Sequence, residues 1–205
     1  MDWLSPIVNE DTVKRQWLRD RKLSINASDV PSIVGASPYR SILDIYIDKT
    51  TPQVDITTNF VQQKGLDLEP TARSKFEKIS GKCYPPESFT HKENQNYKCS
   101  MDGFNRDTNT AIEIKYVGRN LKEVCPDKYY PQIQFQYAVS GADLISLVQI
   151  NDEEEISVIE IKKDDYYILK MLQQVQWFWK CVQRKDIEEI KKALPKKKER
   201  KKKND

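Results

Sequence analysis

Residues 111–115 read AIEIK, and the strict alternation of this pentapeptide constrains the chain more than any other feature. In an extended strand successive side chains point to opposite faces, so Ile112 and Ile114 share one face and Glu113 and Lys115 the other. The isoleucines would anchor the strand in a core, leaving an acid and an amine side by side on its open face. Just upstream, SMDG (100–103) places Asp102 before a glycine at the end of a preceding strand, and FNRDTNT turns the chain back. Asp102 can then approach Glu113. Two converging carboxylates repel each other, and a divalent cation relieves the repulsion. Lys115 beside them could orient a water or stabilise charge on a phosphate. These are the parts of metal-assisted phosphodiester hydrolysis.

The sequence also supplies a control. IEIK occurs at 112–115 and again at 159–162. A Glu-x-Lys strand is therefore common enough to be a plain solvated face, and from the residues alone both readings stand. Context separates the copies. The first follows SMDG and precedes a segment carrying Gln132, Gln134 and Gln136. The second follows the glycine-free turn NDEEE.

Residue types narrow the chemistry further. His91 is the single histidine, which excludes Ser-His-Asp catalysis, His-rich zinc sites and a two-His carboxylate iron site. Any metal must be held by carboxylates and carbonyls, a donor set that favours Mg²⁺ or Mn²⁺. The four cysteines, at 83, 99, 125 and 181, show no CxxC spacing, so reduced thiols are expected rather than a cluster or a disulfide framework. No apolar run approaches the roughly 18 residues of a membrane span. The segment MDWLSPIVNEDTVKRQW has neither signal nor transit-peptide character, so a cytoplasmic location, cytosolic or nucleoid-facing, is expected.

A chain of 205 residues suits one domain with a real core. Its net charge of +3 is unevenly spread: residues 183–205 carry 11 Lys and Arg against 5 acids, while the preceding 182 residues hold 23 bases and 26 acids. We therefore expect a single domain over 1–194 and a disordered basic tail over 195–205, suited to loose, salt-dependent contact with a polyanion or to solubility. Helices are expected over 9–20, from Ser28 as N-cap with Pro31 in the first turn, from Ser41, and over 57–80 with interruptions near Gly65 and Pro70 before closure at Gly81. The period then changes. CYPPESFTH, YKCSMDG, TAIEIKYV, LISLVQI and EISVIEIK read as strands. DKYYPQIQFQYAVSG reads as a helix ending at Gly141, and a long helix runs from about Asp164 into Cys181. This order predicts an α/β or α+β fold with a small mixed central sheet flanked by helices.

Six motifs stand in a recognisable order: Arg21 and Ser28 (R-x6-S), SPYRS at 37–41, Gly65 with Glu69 and Pro70 (G-x3-EP), SMDG, EIK and QIQFQ with Gly141. Over roughly Arg21 to Gly141 the chain resembles the lambda exonuclease / YqaJ-type viral recombinase group of the PD-(D/E)xK nuclease superfamily. The resemblance implies that Asp102 and Glu113 are metal carboxylates, with the Ile114 carbonyl as a further ligand. It implies that Lys115 positions the attacking water and that Glu69 completes the site. Arg21, Ser28, Ser100 and Gln132 match the positions of a 5′-phosphate pocket. Arg40, Gln134 and Gln136 are further candidates for DNA contact; only Gln132 and Gln136, four apart, can share a helix face.

The expected activity is a Mg²⁺-dependent (or Mn²⁺-dependent) 5′→3′ exonuclease on linear double-stranded DNA ends, leaving 3′ single strands for recombination. A ring-shaped trimer and a single-strand annealing partner follow from the same resemblance, and no membrane is involved. The rival readings are a restriction- or repair-type endonuclease on the same core and a DNA-binding module without catalysis.

Overall fold

The computed structural model describes residues 10–52 and 59–194; the basic tail expected over 195–205 lies outside the described residues. Helix α1 (Glu10–Lys22) leads into a two-residue strand β1 (Ile25–Asn26). A 3-10 turn (Ala27–Asp29) and the short α2 (Val30–Ile33) follow. Here the structure departs from expectation. Ser28 is not an N-cap but sits inside the 3-10 turn, because Asn26 and Asp29 cap one another: the Asn26 N–H donates to Asp29 Oδ2 at 2.9 Å. The freed Ser28 hydroxyl instead accepts from Arg21 Nη2 at 2.6 Å. Asp29 also forms a buried ion pair with Lys49, 2.6 Å long.

Helix α3 (Ile42–Thr50) starts where the sequence places it, with Ser41 capping it and Asp44 reaching back to the Ser41 N–H at 2.7 Å. Helix α4 runs from Phe60 to Ser80 without the expected interruptions. Pro70 lies within it, where packing of Ala72 and Phe76 outweighs the single hydrogen bond that a proline forfeits. Gly81 ends it in the left-handed region at φ 68°.

The strands form two sheets rather than one. Strands β2 (Glu87–Thr90) and β3 (Tyr97–Met101) pair antiparallel, and β1 joins β3 in parallel, giving the order β1-β3-β2. Strands β4 (Gly103–Asn105), β5 (Thr110–Tyr116), β6 (Leu144–Ile150) and β7 (Ile156–Ile161) form the second sheet in that order. Helix α5 (Tyr130–Ser140) provides the crossover that makes β5 and β6 parallel. Helices α6 (Asp165–Arg184) and α7 (Ile187–Lys192) close the chain. The short β1, β4 and α7 escape sequence reading because two to six residues carry no usable period.

Both faces of β5 are covered. Ile112 and Ile114 pack with Val148 and Ile150 against Ala72 and Phe76 of α4. Ala111 on the opposite face belongs to the larger core with Ile133, Phe135 and Tyr137 of α5. The face expected to be open is therefore roofed by a helix. This correction governs the site.

Gly103, which pairs with Ile112, is needed for closeness rather than for φ. A Cβ there would stand 2.7 Å from the Tyr84 carbonyl oxygen and 2.9 Å from Ile112 Cγ1. Gly103→Ala should destabilise the fold by about 3 kcal/mol, as overpacking against backbone does. Chemical denaturation of both proteins checks this, and a loss below about 0.5 kcal/mol would contradict the packing.

Candidate active site

Strand β4 is short and covers only residues 110–112 of its neighbour. Beyond that point the edge of β5 has no strand partner on this side, and Asp102 fills the gap: its Oδ2 accepts the Ile114 N–H at 2.7 Å. In an extended strand a residue's N–H and C=O face the same neighbour. The Ile114 carbonyl therefore shares this uncovered edge with Asp102.

Glu113 lies on the α5 side of the strand and is only 3% exposed. Three donors satisfy it. Gln132 Nε2 reaches Oε1 at 2.6 Å, Gln136 Nε2 reaches Oε2 at 2.5 Å, and Lys115 Nζ pairs with Oε1 at 2.6 Å. The two glutamines are one helical turn apart, so both point at the strand. Gln136 also donates to the Ser100 carbonyl at 3.3 Å, while its own Oε1 is buried without a protein partner.

Helix α4 contributes from the other side. Glu69 pairs with Arg73, and Arg73 Nε donates to the Asp102 carbonyl at 2.6 Å. Arg73 thus ties the helix-borne acid to the strand-borne one. Sequence reading missed Arg73, although its position four residues after Glu69 is the spacing of a helical ion pair.

The electrostatics follow from this crowding. Burial raises the Asp102 pKa well above the usual carboxylate range; the Glu113 and Glu69 charges add to the rise, against the opposing pull of Lys115 and the Ile114 N–H. Burial works to lower the Lys115 pKa, yet Glu113 and Asp102 outweigh it and hold the amine above its ordinary value. Among the described residues no three His, Cys, Asp or Glu side chains form a cage that would hold an ion unaided. The donor set still suits a hard cation that keeps part of its water shell: among the described residues Asp102 Oδ1 accepts no hydrogen bond, Glu113 is adjacent, and the Ile114 carbonyl shares the edge.

The 5′-phosphate candidates are only partly brought together. Arg21 and Ser28 touch, and Trp17 lies under the guanidinium, its ring centre 4.5 Å from Arg21 Cζ. Ser100 pairs instead with Ser88 across the β2–β3 ladder at 3.0 Å, and Gln132 is engaged by Glu113. Among the described residues no hydrogen bond joins these two pairs. Arg40 is exposed and bonds the Asp44 carbonyl at 3.3 Å. Gln134 is corrected outright. It is fully buried, donates to the Lys162 carbonyl at 2.8 Å and accepts the Asp164 N–H at 2.9 Å, clamping the start of α6 rather than facing DNA. Gln136 is likewise fully buried, so it orients Glu113 and does not reach solvent as a DNA contact would. The second IEIK copy lies on the edge strand β7 with Glu160 and Lys162 exposed, an ordinary solvated face.

The mixed α+β core carries its acids and lysine on and beside a central strand, and solved structures share this fold. The alkaline exonuclease LHK-Exo from Laribacter hongkongensis superposes with a TM-score of 0.70 at 23% identity, over 86% of this chain and 96% of that one. LHK-Exo in complex with dAMP gives 0.67 at 22% identity, over 87% and 97%. A phage related exonuclease from Haemophilus somnus 129PT gives 0.63 at 15% identity, over 82% and 96%. The YqaJ-like viral recombinase domain matches residues 16–143, and the chain belongs to that family. No curated protein sequence matches it.

The raised Asp102 pKa has a stability consequence. Between the unfolded and folded pKa values the native state binds a proton that the unfolded chain has lost, so stability falls as pH rises through this window. Asp102→Asn should therefore unfold at a higher temperature than the parent at about pH 8 in EDTA. The gap should close near the ordinary carboxylate pKa of about 4. Thermal unfolding across this range checks both points, and a variant less stable at every pH would contradict the assignment.

Proposed function

We propose that this protein is a divalent-metal-dependent deoxyribonuclease that degrades linear double-stranded DNA from its 5′ ends, leaving 3′ single strands for recombination. One observation carries the reading: Asp102, Glu113 and Lys115 meet at an uncovered strand edge, with Glu69 beside them on α4. A strand edge with a buried acid pair, an amine and a free carbonyl is poorly suited to a structural role alone, because the like charges oppose folding.

Mg²⁺ is the favoured ion, with Mn²⁺ an adequate substitute, held by Asp102, Glu113 and the Ile114 carbonyl. A divalent ion supplies neutralisation of the charge that develops on the scissile phosphate. The chain's own residues do the rest. Glu113 is fixed by Gln132 and Gln136, so it presents its carboxylate without reorganisation. Lys115 is kept protonated and can hold the attacking water or stabilise the phosphate oxygens. Glu69, oriented by Arg73, closes the acidic side of the site.

Arg21 with Ser28 forms the core of an end-phosphate grip: a guanidinium fixed by a hydroxyl and an aromatic face suits a terminal phosphate. Ser100 and Gln132, the other two pocket candidates, are held by Ser88 and Glu113 in the free protein and would join the grip only by exchanging those partners for the phosphate. Residues 1–194 act as one nuclease domain, and the lysine-rich 195–205 adds nonspecific backbone contacts. A ring trimer and an annealing partner extend the reading on the strength of family membership.

Two experiments test this. Linear and closed circular duplex are digested side by side with Mg²⁺ and with EDTA. Mg²⁺-dependent loss of the linear form alone is expected, cutting of both means an endonuclease, and cutting of neither means a binding module. Lys115→Ala should abolish cleavage while duplex binding persists, and Lys162→Ala in the twin motif should change the rate by no more than about three-fold. In the second experiment, duplexes differing only in a 5′ phosphate or 5′ hydroxyl should be degraded at rates about ten- to a hundred-fold apart, the worth of one charge-assisted contact. Arg21→Ala should erase that preference; a parent enzyme indifferent to the 5′ phosphate removes the pocket and leaves the metal site standing.

A further inference from the structure

The SPYRS motif has no part in the chemistry described so far, yet the structure holds it in a defined shape. Ser37 Oγ accepts the N–H groups of both Tyr39 and Arg40, at 3.2 and 3.3 Å, and Ser41 begins α3. This tight turn pushes Tyr39 into solvent, where the residue is 75% exposed. There the ring meets Lys128. Lys128 Nζ donates to the Tyr39 hydroxyl at 2.7 Å and stands 4.9 Å from that ring's centre. On its other side the same amine lies 4.8 Å from the centre of the Tyr129 ring. Tyr129 in turn faces Lys115, whose Nζ is 5.6 Å from the ring centre. A continuous row of alternating cations and rings therefore runs from the reactive edge of β5 to the surface.

Lys115, the neighbour of Lys128 across the Tyr129 ring, pairs with Glu113. Lys128 has no carboxylate within ion-pairing distance among the described residues. Burial acts to lower its pKa, but the two tyrosines more than compensate and keep it charged. A charged amine held by two aromatic faces, with no anion of its own, is pre-organised to receive one. The Tyr129 ring is thus shared by Lys128 and Lys115, which places the two amines on one short path along the surface.

We propose that Lys128, cradled by Tyr39 and Tyr129, binds a backbone phosphate of the DNA strand next to the scissile one, with the exposed Tyr39 ring offering a stacking face for the neighbouring sugar or base. The proposal rests on the nuclease reading for the identity of its ligand. Lys128 is a positioning residue: it does not touch the reacting atoms but fixes the strand that carries them.

The test is the salt dependence of binding, read with 5′-phosphorylated duplex and Ca²⁺ in place of Mg²⁺ by fluorescence anisotropy over a series of KCl concentrations. Lys128→Gln should raise Kd about ten-fold at low salt, the worth of one charge-assisted contact. It should also flatten the slope of log Kd against log salt by about 0.7–0.9, the release accompanying one phosphate contact. Lys128→Arg, which keeps the charge and stacks as well, should restore the parent slope. In turnover with Mg²⁺ the loss should fall on KM more than on kcat, which a merely structural role would not produce. Tyr39→Leu, at an exposed position that packing does not need, should weaken binding in the same direction and serves where Lys128→Gln folds poorly. Parent-like slopes in both Lys128→Gln and Tyr39→Leu overturn the proposal. A parent protein that binds duplex without cutting it overturns the nuclease reading, while the slopes still decide whether Lys128 meets a phosphate.

Discussion

The burial of Glu113 is the constraint on which the rest depends. A carboxylate removed from water costs several kcal/mol unless its oxygens are fully paired. Here two amides and an amine pair them. Two of those donors come from α5, so the helix must cross β5 at one height and one rotation. That placement makes β5 and β6 parallel neighbours and turns Ile133, Phe135 and Tyr137 toward the larger core. The functional acid and the fold are stabilised by the same contacts.

On the opposite face the arrangement is tethered differently. Helix α4 buries Ala72 and Phe76 against Ile112 and Ile114, and Arg73 reaches the Asp102 carbonyl. The brevity of β4 leaves Asp102 to satisfy the Ile114 N–H with a side chain in place of a strand. The result is an acid on each side of a bare strand edge. Several features of this region oppose folding: the raised Asp102 pKa, the unpartnered oxygen of Gln136 and the proximity of Glu69. Violations of this kind concentrate where a site must meet a charged substrate.

The surface around the edge repeats the same economy. Arg21 is held by Ser28 and Trp17, and Lys128 by Tyr39 and Tyr129. In both cases an aromatic ring and a hydroxyl fix a cation that, among the described residues, pairs directly with no carboxylate. Such a cation remains available to a phosphate, and its ordering entropy has been spent in the free protein. The buried Lys49–Asp29 pair anchors the 3-10 turn that presents Ser28, and the Ser37 turn presents Tyr39.

The twin IEIK tetrapeptides show what local sequence determines and what it leaves open. Alternation alone made both strands and turned Ile112 and Ile114 to one side, as it did Ile159 and Ile161, because side-chain direction in a strand has a fixed period of two. The helices around residues 10–22, 42–50, 130–140 and 165–184 were equally legible, since caps and 3.6-residue spacing are local signals. So was the order of Arg21, Glu69, Asp102, Glu113 and Lys115. The alternation by itself does not distinguish Glu113 from Glu160; only the flanking SMDG and glutamine segments do. One is roofed by α5 and loses its water; the other stands on the edge strand β7 in solvent. The roles of the three glutamines were hidden for the same reason: Gln132 and Gln136 clamp the acid while Gln134 holds Lys162 and Asp164, the residues that lead into α6, a division set by which neighbours the helix rotation brings near. Sequence fixed the residue types and their spacing because these are covalent and periodic. Burial, partner choice and charge state were decided only when distant elements packed, because each depends on what excludes water from a given side chain.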